Sequence, residues 1–155
     1  MKQPADKNLE LKALSLILIS LLVPFVLIIM ENTFLPYPEP VEELFKLMIV
    51  VFVVHNFSNE RYGALLILLS GFLFSLSENI FYLVNLINIA GDVDVFFERF
   101  LIVTPMHIAT ALIMFSSYLI GRKIFPRGIY ASIFLLIGYV LAVFVHLSFN
   151  TYMSQ

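Results

Sequence analysis

The chain alternates between apolar blocks of about twenty residues and short polar breaks, the spacing at which α-helices cross the hydrocarbon layer of a membrane. Five such blocks are predicted as spans, at about 11–30, 41–57, 63–88, 97–120 and 129–151. The breaks carry helix stop and start signals. "PYPEP" (36–40) ends one helix and opens the next at a proline, and "NFSNERYG" (56–63), "GDVDVFFER" (91–99) and "GRKIFPRG" (121–128) are polar turns. Pro24 falls inside the first block and predicts a kink there. No internal repeat or linker is visible, and no loop is long enough to hold a soluble domain. The expectation is one all-α, membrane-embedded domain over 1–155, a polytopic transmembrane helix bundle.

Composition strengthens this picture. The 155 residues are 61% hydrophobic and 13% charged, whereas soluble domains run near ~45–50% and ~25%. A formal charge of −2 without a basic patch gives no sign of a nucleic-acid partner. The absence of cysteine removes disulfides, thiolate catalysis and thiolate metal sites. The opening "MKQPADKNLELK" has the charge of a signal-peptide start, but no small-residue cleavage site follows the apolar block, so a retained first span is expected.

Lys2, Lys7 and Lys12 precede the first span, Arg61 lies in the second loop, and Arg122, Lys123 and Arg127 lie in the fourth. The intervening loops hold Glu31 and Glu39, then Asp92, Asp94 and Glu98, with Arg99 their one cation. Positive charge stays on the cytoplasmic side, which predicts an inside N-terminus, an outside C-terminus and a plasma-membrane location.

Against this apolar background the ionisable residues within spans stand out: Glu42, Glu43 and Lys46 in the second, Glu78 in the third, His107 in the fourth and His146 in the fifth. A charged residue at a helix centre costs roughly 2.5–3.5 kcal/mol on the insertion scale. Such residues therefore demand mutual pairing, a hydrated cavity or a metal. At about 1.5 Å per residue, Glu43, Glu78, His107 and His146 all fall between roughly 5 and 15 Å below the outer surface. Helical spacing adds partners: Lys46 sits one turn after Glu42 and Glu43, Tyr82 one turn after Glu78, and Asn150 one turn after His146.

Two imidazoles and a carboxylate form a common ligand set for catalytic zinc that leaves a position open for water. Glu78, His107 and His146 are the candidate ligands, with Glu42 or Glu43 as the general base and Asn150 as a donor to a developing oxyanion. Blander roles compete. The glutamate pair could be an acidic first helical turn favoured by the helix dipole, the histidines hydrogen-bonded packing residues, and Asn150 a helix-end cap. No H-E-x-x-H or G-x-S-x-G pattern is present, and "GDVD" reads as an exposed turn rather than as two intramembrane aspartates.

Four motifs in order complete the pattern: "EELFK" (42–46), "GFLFSLSENIFY" (71–82), His107 following Arg99, and "HLSFN" (146–150). Together they resemble the PrsW family of intramembrane proteases, distant relatives of the CAAX prenyl proteases. The resemblance implies peptide-bond hydrolysis inside the membrane, a divalent metal, and Glu42, Glu43, Glu78, His107 and His146 as the catalytic candidates. It also implies a membrane-protein substrate, with anti-sigma factors serving some members. Two other functions fit the same residues: a small proton- or ion-coupled transporter, and a catalytically idle, partner-binding descendant of the same fold. A homo-oligomer is compatible with so small a bundle.

Overall fold

A computed structural model describes residues 7–34, 38–89, 94–125 and 128–153. They form five helices, α1 (Lys7–Phe34), α2 (Glu39–Asn56), α3 (Glu60–Ile89), α4 (Asp94–Ile124) and α5 (Gly128–Met153), one for each predicted span. Among the described residues there is no strand. Local chemistry sets the boundaries. Pro38 precedes α2 and Pro40 occupies its first turn, where a missing N–H is harmless. Asn59 caps α3 by accepting the N–H groups of Arg61 and Tyr62 at 3.0 and 3.1 Å.

Four helices have the length and apolar composition to cross a membrane: Asn8–Met30, Glu60–Val84, Phe96–Ile124 and Gly128–Met153. α2 has 18 residues and carries Glu39, Glu42, Glu43 and Lys46 in its first half, too many charges for a purely apolar span, although Leu44, Met48 and Val51 give it an apolar outer face. The arrangement explains how it is tolerated. In the described residues α1, α3, α4 and α5 neighbour one another in that order, and α2 touches all four. The four apolar helices thus form an arc, and the charged one fills its concave side. All four of its ionisable side chains in that first half are buried. Its second half contributes Ile49, Val50 and Val53 to an apolar core with Ile67, Met114 and Ala142. The bundle is therefore dry at the end where α2 finishes and polar at the end where it starts.

Burial of apolar side chains drives helices together weakly inside lipid, so close approach through small residues matters more. α4 meets α5 at such points: a Cβ on Gly138 would lie 2.8 Å from the Ser117 side chain, and one on Gly121 2.7 Å from Phe134 Cβ. Gly71 plays this part between α3 and α4, where a Cβ would stand 2.9 Å from Ile108 Cα and 3.1 Å from the His107 carbonyl oxygen. Both neighbours are backbone, so they yield only if the helices separate. Gly71→Val is expected to destabilise the protein by about 1–3 kcal/mol, read as a lower unfolding temperature in detergent micelles.

Candidate functional site

The polar end of the bundle is built around the first two turns of α2. Glu39, Glu42, Glu43 and Lys46 follow one another at helical spacing, so their side chains share a stripe that faces the other helices. Lys46 is the hub. Its ammonium donates to Glu43 Oε1 at 2.6 Å, His107 Nδ1 at 2.8 Å and Thr110 Oγ1 at 3.1 Å. That gives three N–H donors three acceptors. Thr110 in turn donates to the His107 carbonyl at 3.2 Å, and the Lys46 ammonium lies 5.0 Å from the Phe74 ring centroid. A cation buried this completely, at 2% exposure, persists only with such compensation.

The partners fix the state of each imidazole. An ammonium can only donate, so His107 Nδ1 accepts and the proton of the neutral ring resides on Nε2. That nitrogen lies 2.6 Å from Glu78 Oε2, off the line of a well-formed hydrogen bond: both atoms are buried and otherwise unsatisfied. The other Glu78 oxygen accepts from Arg99 Nη2 at 2.9 Å. The Arg99 guanidinium carbon lies over Tyr82, 3.7 Å from its ring centroid. On α5, His146 Nδ1 is 2.8 Å from Glu43 Oε1. A carboxylate clamped by Lys46 accepts, so His146 donates from Nδ1. Its other ring nitrogen, Nε2, faces Glu42 Oε2 at 3.9 Å. The two imidazoles meet edge to face, 5.2 Å between centroids.

A cavity of about 260 Å³ adjoins these groups. Glu42, Glu78, Tyr82, Arg99, His146 and Asn150 supply its polar wall, and Ile28, Val103, Met106, Phe149 and Met153 its apolar wall. Asn150 donates from Nδ2 to Glu39 Oε1 at 3.0 Å.

All six residues expected from the sequence thus gather at one place, with a different division of positions. One donor atom each from Glu42, His107 and His146 lies within 4.8 Å of the others, so the cluster contains Glu42 where the sequence suggested Glu78. Glu78 instead bridges Arg99 and His107. Of the glutamate pair, Glu42 lines the cavity, whereas Glu43 is wholly buried behind it and committed to Lys46 and His146. Two expectations are corrected. Glu39 is the first residue of α2 and buried rather than a loop carboxylate, and Arg99 lies within α4 rather than in the loop before it. The sequence signal for Glu39 was its spacing of three, four and seven residues from Glu42, Glu43 and Lys46.

A two-histidine, one-carboxylate group suits a divalent ion such as zinc by donor kind and proximity. Glu42 and the Nε2 of His146 lie close enough to share it. His107 is closed while Lys46 occupies Nδ1, because the proton is then on Nε2; it becomes a ligand only when Lys46 releases it.

The described residues thus form a polytopic helical bundle with a buried glutamate–histidine cluster beside a cavity. The family model of the PrsW family intramembrane metalloproteases matches residues 12–155, and the chain belongs to that family. No curated protein and no solved structure matches it.

Proposed function

We propose that the protein is an integral membrane endopeptidase that hydrolyses a peptide bond of a membrane-protein substrate with water held between Glu42 and His146. The observation that carries this reading is His146 Nε2 facing the Glu42 carboxylate at 3.9 Å on the cavity wall, with the opposite ring nitrogen held by Glu43. Glu42 takes the water proton as the oxygen attacks the scissile carbonyl, and returns it to the leaving nitrogen. Asn150, one helical turn along from His146, donates to the oxyanion that forms. Glu43 and Lys46 act through the histidines they hold.

The family's description as metalloproteases supports zinc as the proposed ion, with His146 and, once Lys46 releases it, His107 as the imidazoles that would hold it beside Glu42, which remains the proton acceptor. Bound there it would polarise the attacking water. The Lys and Arg asymmetry supports an inside N-terminus; a plasma-membrane site of action and an anti-sigma-factor-like substrate are proposed from the family resemblance alone.

The test uses the purified protein and a quenched-fluorescent single-span reporter peptide whose helix is broken by Gly-Pro, because a helical peptide bond is shielded from attack. Parental protein is expected to cleave it, and His146→Ala to fall by about 10²–10⁴-fold. Metal analysis of the same samples is expected to show one zinc per chain. Equal rates for parent and His146→Ala would overturn the proposal. Pmf-driven flux in proteoliposomes without cleavage would favour a transporter in its place.

A further inference from the structure

The Asn150 amide lines the cavity, but its orientation is set from behind. Its Nδ2 donates to Glu39 Oε1 at 3.0 Å, across 111 residues of sequence and between the start of α2 and the last turns of α5. Glu39 is only 7% exposed, and its other oxygen, Oε2, has no hydrogen-bond partner among the described residues. Such a buried carboxylate makes no sense as a solubilising surface charge. It lies outside the cavity wall, so it does not touch a substrate.

We propose that Glu39 is a positioning residue for catalysis: it holds the Asn150 amide with its N–H side turned toward the reaction. An asparagine amide carries a donor end and an acceptor end of nearly the same shape, and rotation about its last torsion exchanges them. Toward a developing oxyanion the donor end stabilises and the acceptor end repels. A carboxylate accepts only, so it pairs with the NH2 group and disfavours the exchanged orientation. One N–H is engaged with Glu39, and the inference assigns the second to the oxyanion. The tie between α2 and α5 also keeps Asn150 level with His146. This inference rests on the oxyanion-donor role proposed for Asn150 and extends it to a residue that the E-E-x-x-K motif leaves out.

The experiment compares Glu39→Gln, Glu39→Ala, Asn150→Ala and the double Glu39→Ala/Asn150→Ala protein on the quenched single-span reporter. Nδ2 chemical shifts are followed in protein labelled with 15N-asparagine. Asn150→Ala is expected to lower kcat by about 10²-fold. Glu39→Ala should lower kcat by at least about tenfold with KM unchanged, and the double variant should be no slower than Asn150→Ala alone. Glu39→Gln, whose amide oxygen still accepts, should recover much of the rate. In the spectra, the Asn150 Nδ2 signal should move in Glu39→Ala and return toward its parental position in Glu39→Gln.

If Asn150→Ala is slow while Glu39→Ala matches the parent, or the Asn150 signal stays in place in Glu39→Ala, the positioning role is wrong and the role of Asn150 stands. If Asn150→Ala itself matches the parent, both fall. A merely structural tie would instead show as additive losses in the double variant, with KM and unfolding temperature changing alongside kcat, and that pattern also overturns the inference.

Discussion

Glu42→Gln protein is expected to fold as the parent does and to cleave the membrane reporter about 10³-fold more slowly. Glutamine keeps the size and one carbonyl oxygen of the side chain, so the cavity wall survives while the proton acceptor is lost. Glu42 is the member of the glutamate pair on that wall and the carboxylate that faces His146 Nε2 at 3.9 Å. Glu43→Gln separates the two roles. It weakens the grip on His146 Nδ1 and leaves the Lys46 cation under-compensated, so its loss of rate should come with a loss of stability. Rates for both variants, measured beside their unfolding temperatures, check the assignment. A Glu43→Gln protein that is stable but inactive, beside an active Glu42→Gln protein, would exchange the two residues.

The second large effect is on stability. Lys46→Met replaces the hub with an apolar chain of similar length and strands the Glu43 carboxylate, which has no solvent exposure. Removing one member of a buried ion pair costs about 3–5 kcal/mol, so the protein should unfold at a markedly lower temperature in micelles. Replacing both Glu43 and Lys46 with methionine removes the stranded charge and should recover part of that loss. The recovered protein should still be slow, because His107 and His146 have each lost the partner that fixes the ring. Recovery of stability without activity distinguishes a hub that orients the site from one that only holds the helices.

These expectations show what the sequence carried and what it did not. Five apolar blocks located five helices because span length and proline or polar breaks are local properties. The N-terminal half of α2 was harder. Its charges read as the opening of a span, whereas the structure turns Glu39, Glu42, Glu43 and Lys46 inward and encloses them within an arc of four apolar helices. Glu39 was assigned to a loop because the prolines beside it marked a boundary, although its spacing from Lys46 already placed it on the same helical stripe. That Glu43, Glu78, His107 and His146 lie at similar depths was legible from their distance to the span ends. Which oxygen meets which nitrogen was not, since it depends on the register of α3 and α4 across Gly71 and on the rotation of each helix. Arg99 illustrates this. Its charge looked like a loop feature, and only the packing of α4 on α3 delivers it to Glu78 and Tyr82.

The central claim is that a carboxylate and an imidazole on the wall of a membrane-embedded cavity activate water for peptide-bond hydrolysis. Cleavage of the reporter in water enriched in 18O, with the new C-terminus read by mass spectrometry, tests it most directly. The account predicts one 18O atom in the new carboxylate with parental protein, and no cleaved product above background with Glu42→Gln. Product lacking the label, or labelled product formed equally by Glu42→Gln, would contradict it.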